Sequence, residues 1–453
     1  MSTSIVILAA GQGTRMHSAL PKVLQPLAGE PLLRHVIDYC RKARADDICV
    51  VYGHGGDVVR DRFTGESLRW VLQEEQLGTG HAALQAMPGT PDGNRVIILY
   101  GDVPLIRPRT LTRLVDACGA GDVGVLTVRM DDPTGYGRIV REGGRVVRNV
   151  EERDANDDER AITEINTGVM CCPAAKLKVW LGRLRTDNDQ GEYYLTDVIG
   201  MAVDDGVAVH GIEVEDQAEV MGINDKKQLA EAERALQLRR VEELMRQGVT
   251  FTDPSRVDIR GTLTCGKDVT IDVNTVFEGD VTLGDNVTVR MNNTIRDSAI
   301  GTGTTIRPHC HVDGATTGAG CRIGPFARLR PGAELSDNVG IGNFVEVKKS
   351  TIASGSKVNH LTYVGDTTIG RDVNVGAGTI TCNYDGLHKH RTVIGDGAFI
   401  GSGVELVAPV EVGKGATIGA GSTIAKSAPA GKLTLERARQ VTVKGWKSPV
   451  ERK

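Results

Sequence analysis

A chain of 453 residues is long enough for about three average domains or for fewer large ones. Its formal net charge of only -4 excludes a bulk electrostatic attraction to nucleic acid or to an anionic membrane surface. Nine cysteines without a CxxC pair argue against a disulfide framework and for a reducing compartment. No run reads as a signal peptide or a membrane span, so the expected location is cytoplasmic.

The first half alternates two patterns. Residues 5–8, 48–52 and 96–100 are short apolar runs of strand length, while 32–43, 80–87 and 110–117 carry helical spacing. Continuous apolar strands separated by helices predict a mostly parallel sheet covered on both faces, with ligands at the carboxyl ends of its strands. Two of those ends carry chemistry. The turn Leu8-Ala-Ala-Gly-Gln-Gly-Thr-Arg-Met16 supplies backbone amides and a cation, and Pro21-Lys22 follows it. It is neither a dinucleotide fingerprint nor a Walker loop. Asp102 follows Tyr100-Gly101, where a parallel sheet presents a carboxylate; its bland alternative is a turn former. Gln73-Glu-Glu-Gln-Leu-Gly-Thr-Gly80 is a second turn of donors and glycines, and Asn224 offers another oxygen for a hard cation.

Residues 225–247 read as one long helix stopped by Gly248. It is expected as a linker over 225–248 between a domain 1–224 and a domain 249–453. In that last region an aliphatic returns every sixth residue. Val257, Leu263, Val269, Thr275, Val281 and Val287 form one series, and Ile394, Ile400, Leu406, Val412, Ile418 and Ile424 another. A period of six fits neither a helix nor a hairpin; it is the period of hexapeptide coils stacked as a parallel β-helix. The period breaks at Thr381-Cys-Asn-Tyr-Asp-Gly-Leu-His-Lys-His390, a polar segment too long for a coil corner and so a candidate functional loop. A basic tail follows Lys426.

A β-helix can be a bare scaffold, but polar groups recur in neighbouring coils. Phe326-Ala-Arg-Leu-Arg330, Val345-Glu-Val-Lys-Lys349 and Asn359-His-Leu-Thr-Tyr363 stand in successive turns. Histidines 309, 311, 360, 388 and 390 are all available as bases near neutral pH, and the residues themselves leave the choice open. His309 and His311 lack the further ligands a metal site needs.

The motifs Leu8-Ala-Ala-Gly-x-Gly-Thr-Arg-Met16, Leu20-Pro-Lys-Val-Leu24, Gln76-Leu-Gly-Thr-Gly80 and Tyr100-Gly-Asp102 resemble those of the sugar-nucleotide pyrophosphorylases. With the hexapeptide half attached, the whole chain resembles one bacterial family. Its members couple an N-acetylglucosamine-1-phosphate uridylyltransferase to a glucosamine-1-phosphate N-acetyltransferase. The resemblance implies a Rossmann-like nucleotidyltransferase sheet, a linker helix, a left-handed β-helix and a homotrimer with no nucleic-acid partner. It implies Mg2+ as cofactor, and UTP and acetyl-CoA as substrates beside the two sugar phosphates.

The same resemblance implies roles for residues. Leu8, Ala9, Gly11, Gln73, Gly78, Thr79 and Tyr100 are expected at the UTP or UDP-sugar. Arg15 and Lys22 meet the phosphates, and Asp102 and Asn224 hold the metal. Gly137, Glu151, Asn166, Tyr194 and Thr196 contact the sugar. Gln12 stands where this family often has Lys. In the second half, His360 is the expected base with Glu346 to orient it. Arg330, Lys348, Tyr363 and Asn374 bind glucosamine-1-phosphate, and Ala377, Asn383, Tyr384, Lys389, Ser402, Ala420 and Arg437 bind acetyl-CoA. Two alternatives stand beside this reading. One is a single-activity nucleotidyltransferase whose β-helix is structural or regulatory, and the other is a non-catalytic assembly scaffold.

Overall fold

The computed structural model describes residues 2–11, 13–53, 56–119 and 121–452. The chain forms two compact units, Met1–Leu236 and Gln237–Lys453.

In the first unit the main sheet runs in the order Val209–Glu213, Val123–Arg129, Glu164–Pro173, Arg95–Tyr100, Thr3–Ala9, Asp47–Gly53 and Arg69–Gln73. Strand periodicity sends alternate side chains to opposite faces. Accordingly Ile5 and Ile7 enter one buried cluster while Val6 and Leu8 enter another. Each such buried aliphatic contributes about 1.5–3 kcal/mol, so the short run at 5–8 anchors both layers at once. Helices Leu32–Lys42, Thr79–Ala86 and Pro108–Asp116 lie where the spacing predicts them. The sheet departs from the parallel expectation at its centre. Glu164–Pro173 pairs antiparallel with both Arg95–Tyr100 and Val123–Arg129, and a hairpin of Arg138–Glu142 and Arg145–Val150 attaches to it. This strand and hairpin wall off one side of the strand ends, which is how a cleft arises there.

Helix Lys226–Arg246 crosses the division between the units. Ala232 and Leu236 join a cluster with Met16, Leu27 and Leu32, whereas Val241 and Leu244 join the core of the second unit.

The second unit is a left-handed parallel β-helix of hexapeptide coils. Its strands pair with those one coil away, for example Val257 with Thr275 and Ile323 with Ile341. The recurring aliphatics Ile271, Val289, Ile306, Ile323, Ile341, Val358, Val375, Ile400 and Ile418 stack in one buried column. At one corner His309, Phe326, Phe344 and Leu361 adopt positive φ, and the rings of His309, Phe326 and Phe344 stack at 4.8 and 5.2 Å. The ejected loop is visible as a jump in spacing. Hydrogen bonds between successive coils span 17 residues at Val373–Ser356 and 25 at Arg371–Asp396. The extra residues close as a small hairpin, with Tyr384 bridged to Lys389 and His390 N–H donating to Asn383 O at 2.8 Å. Among the described residues no helix is long and apolar enough to cross a membrane.

Candidate active sites

In the first unit the glycine-rich turn leaves the end of Thr3–Ala9 beside the end of Arg95–Tyr100, because Leu8 pairs with Tyr100. The Leu8 side chain is in the core and its carbonyl accepts the Gly101 N–H at 2.9 Å, so Leu8 shapes the site and does not line it with its side chain. Gly13 turns at φ +63°, and a Cβ there would stand 2.6 Å from Cβ of Lys22. That glycine therefore lets the lysine backbone close onto the turn. Gln76 donates to the Ala10 carbonyl at 2.6 Å and fixes the other flank. Gly11 and Arg15 are exposed on the turn, and Gln12 lies outside the described residues.

The Lys22 ammonium donates to Asp102 Oδ2 and to Asn224 Oδ1, the latter at 3.2 Å. Both side chains of the Lys22–Asp102 pair are largely buried, at 13% and 16% exposure. Asp102 and Asn224 come from distant parts of the chain, and the Ile223 N–H donates to the Asp102 carbonyl at 2.9 Å to lock them side by side. Two oxygens thus face one cationic point. This donor set fits a hard divalent ion, which takes one or two protein oxygens and fills its shell with water and phosphate.

Beyond Tyr100 lies a cleft of about 470 Å3 lined by Thr79, Tyr100, Gly137, Glu151, Asn166, Tyr194 and Thr196 among others. These seven expected residues are brought together. Thr196 Oγ1 and Asn149 Nδ2 each donate to Glu151 Oε1 at 2.8 Å. Asn166 Oδ1 accepts from the Gly168 N–H at 2.8 Å, while its buried Nδ2 has no partner among the described residues and is available to a ligand oxygen. Burial first, then the charges of Asp102 and Glu151, push the Tyr100 phenol well above its ordinary range, so it remains a neutral hydroxyl. Gln73 and Gly78 stand together, Nε2 donating to the Gly78 carbonyl at 3.3 Å. Ala9 packs under Gly101. Asn149 is absent from the expected set. It lies on the hairpin strand before Glu151, and the only signal for it was its spacing of two from that acid.

In the second unit the stacking places residues in columns. Asn343 pairs with His360, Gly378 N–H donates to the His360 carbonyl, Gly403 to Ala377 and Gly421 to Ser402. Asn343, His360, Ala377, Ser402 and Ala420 therefore occupy one position in five successive coils, and a Cβ on Gly421 would stand 4.0 Å from Arg437 Cδ. Ala377, Ser402 and Ala420 are thus small residues in a row that leads to His360. Asn343 Oδ1 lies 2.9 Å from His360 Nδ1. Glu346 makes its own contacts with Arg330 at 2.8 Å and Arg328 at 3.7 Å. The orienting hydrogen bond on His360 thus comes from Asn343, a residue that sequence reasoning missed.

Around that corner Arg330, Lys348 and Tyr363 sit on the next face, and the Tyr363 hydroxyl and Asn383 amide converge over Gly365. The neighbouring Lys389 ammonium, its largest influence, pulls Lys348 below its ordinary pKa. Asn374 stands apart from them, on the face that pairs with Lys357 and Phe399. Tyr384 is exposed on the ejected hairpin. His309 is engaged in the ring stack with Phe326, and no cluster of three metal-binding side chains occurs among the described residues.

Residues 5–168 match the MobA-like NTP transferase domain, and residues 391–426 match the bacterial transferase hexapeptide (six repeats). The chain is 57% identical over 450 residues to the bifunctional protein GlmU of Azoarcus sp. (strain BH72), covering 99% of this chain and 100% of that protein. It is 58% identical over 450 residues to GlmU of Aromatoleum aromaticum, and 57% over 451 residues to that of Ralstonia nicotianae, covering 99% of both chains in each case. A nucleotidyltransferase module and a hexapeptide module in one chain, aligned end to end at this identity, mean that the chain belongs to the bifunctional GlmU family.

Proposed function

We infer that the chain makes UDP-N-acetylglucosamine in two steps at two sites. The second unit acetylates glucosamine-1-phosphate with acetyl-CoA. The first transfers UMP from UTP to the resulting N-acetylglucosamine-1-phosphate and releases pyrophosphate. The convergence of Lys22, Asp102 and Asn224, with Asp102 two residues beyond the cleft-lining Tyr100, carries this reading for the first step.

The uridylyl acceptor is a phosphate oxygen, already anionic near neutral pH, so no protein base is needed. The barrier lies in bringing two anions together and in the charge that builds on pyrophosphate. Arg15 and Lys22 answer both by position and charge. Asp102 and Asn224 would hold Mg2+, which when bound supplies charge neutralisation and orients the phosphates. Tyr100, Gly137, Glu151, Asn166, Tyr194 and Thr196 hold the sugar, and the turns at Ala9–Gly11 and Gln73–Thr79 hold the nucleotide.

Acetyl transfer needs a proton acceptor, because the amine sheds a proton as it attacks the thioester. The amide oxygen of Asn343 only accepts, so the proton of His360 sits on Nδ1 and Nε2 keeps the lone pair that would take the amine's proton. Arg330, Lys348 and Tyr363 take the sugar phosphate. Glu346 keeps Arg330 in place, and acetyl-CoA lies along Ala377, Ser402, Ala420 and Arg437 with Asn383, Tyr384 and Lys389 over it. Asn374 belongs to the same site through a homotrimer, a reading supported by the exposed apolar corner of Phe326, Phe344 and Leu361 beside His360. The working domains are 1–224 and 249–453 with 225–248 as spacer, and the enzyme acts in the cytoplasm.

Pyrophosphate release from UTP plus N-acetylglucosamine-1-phosphate, and thiol release from acetyl-CoA plus glucosamine-1-phosphate, test this reading. Both are expected. Pyrophosphate release alone returns the single-activity alternative, and neither returns the scaffold.

A further inference from the structure

Glu151 is held by two donors on the same oxygen. Asn149 Nδ2 and Thr196 Oγ1 both reach Oε1 at 2.8 Å, and among the described residues no hydrogen bond occupies Oε2. The two donors come from different elements. Asn149 lies on the hairpin strand Arg145–Val150, and Thr196 immediately precedes helix Asp197–Asp204. Strand alternation puts Asn149 and Glu151 on one face. The carboxylate is therefore pinned between the hairpin and the helix, with one oxygen spent on the protein and the other left for the cleft.

The orientation of Asn149 is set by chemistry. Reversing its carboxamide would face oxygen against oxygen, since an ionised carboxylate only accepts. With Nδ2 spent on Glu151, Oδ1 is buried and has no hydrogen-bond partner among the described residues. A Cβ on Gly137 would stand 2.6 Å from that Oδ1, so the carboxamide packs directly under Gly137. The Gly137 carbonyl in turn accepts the Asn166 N–H at 2.8 Å. One side chain thus touches two walls of the cleft, and it does so while leaving an acceptor unsatisfied. Simple packing at this place is met by an apolar residue without that penalty.

We propose that Asn149 is a positioning residue for uridylyl transfer, aiming the free oxygen of Glu151 and the backbone at Gly137 at the hexosamine ring of the sugar phosphate. The proposal rests on the uridylyl-transfer reading. The contacts of Asn149 are to Glu151 and Gly137, both assigned to the sugar, so its effect is expected on the sugar substrate.

The experiment measures initial rates of pyrophosphate release with each substrate varied in turn. Wild type is assayed first, because a wild-type chain without turnover overturns the functional reading and not this one. Asn149→Leu keeps the branched shape, though with more bulk, and removes the donor. Its KM for N-acetylglucosamine-1-phosphate is expected to rise by about tenfold, with KM for UTP and kcat within about twofold. Asn149→Gln retains a donor and is expected to recover to within about threefold of wild type. Asn149→Ser, smaller and too short to reach, repeats the Leu result if Asn149→Leu folds poorly. The proposal fails if the sugar KM is unchanged, if both substrates lose equally, or if the Leu and Gln variants behave alike.

Discussion

Asn343 and His360 occupy the same position in adjacent coils, and the amide oxygen of one meets Nδ1 of the other at 2.9 Å. A hydrogen bond at that nitrogen selects the tautomer and fixes the ring plane, so if His360 is the base as proposed, it acts as half of a pair. His360→Ala is expected to lower acetyl-transfer kcat by about 10²- to 10⁴-fold, the usual yield of a positioned base. Asn343→Leu leaves the base but frees its tautomer and orientation, and is expected to lower kcat by about tenfold. Thiol release from acetyl-CoA reads both, while pyrophosphate release at the first unit stays at the wild-type level.

The Lys22–Asp102 contact has the opposite logic. In this pair a cation already sits where Asp102 and Asn224 converge. On the proposed reading Asp102 and Asn224 would hold Mg2+ only with the Lys22 ammonium turned toward the phosphates, so the two side chains would act together. Asp102→Asn and Lys22→Ala are each expected to lower UTP-dependent turnover by about 10²- to 10³-fold, in keeping with lost charge stabilisation. A chelator should abolish that activity and a restored excess of Mg2+ should recover it. Acetyl transfer should be indifferent to all three treatments; a parallel loss there, with folding intact, would refute separate sites.

What could be read in advance followed how local each feature is. The coil core announces itself because one aliphatic per six residues must face a narrow interior, as Ile394 through Ile424 do. The phosphate turn is equally local, since Gly11, Gly13, Arg15 and Lys22 lie within a dozen residues. Contacts set by register are not local. The Asn343–His360 bond spans 17 residues across a coil, and a single slip in the six-residue period changes which residues meet. The central strand Glu164–Pro173 is a further case. Its buried side chains suit a parallel neighbour as well as an antiparallel one, so its direction is decided by the hairpin beside it. Asn149 escaped notice because a polar residue two places from an acid reads as an exposed hairpin face.

Gly168 turns the strand at φ +79°, and a Cβ there would stand 2.6 Å from the Tyr100 ring. Both facts oppose any side chain. Gly168→Ala is expected to destabilise the first unit by more than about 1 kcal/mol, because alanine is strained at this φ, and to displace the tyrosine from the cleft wall. Thermal unfolding reads the first effect. A raised KM for the sugar phosphate, measured below the transition, reads the second.

Lys348 and Lys389 give a pH signature. The Lys389 ammonium lowers the pKa of Lys348, so Lys348 loses its proton earlier as pH rises than an isolated lysine at about 10.4. Affinity for the glucosamine-1-phosphate dianion should fall along that limb. Lys389→Gln removes the repelling charge, raises the Lys348 pKa and should move the alkaline rise in KM to higher pH. An unmoved limb would mean that Lys348 does not meet the phosphate.

Ala377, Ser402 and Ala420 are small residues aligned on successive coils. Each backbone N–H that follows them donates to the coil before, at 2.7 Å from Gly403 and 2.8 Å from Gly421, so the three cannot shift independently. Ser402 and Ala420 are exposed, and a bulky side chain there meets solvent. Ala420→Phe is therefore expected to change stability by less than about 0.5 kcal/mol, as surface substitutions usually do. On the proposed reading the same ring would stand in the line from Arg437 to His360 along which acetyl-CoA is placed. KM for acetyl-CoA is expected to rise by at least about tenfold while KM for glucosamine-1-phosphate and uridylyl transfer hold, a pattern of lost ground-state binding. An unchanged acetyl-CoA KM in a folded variant would place the coenzyme on another face of the coil.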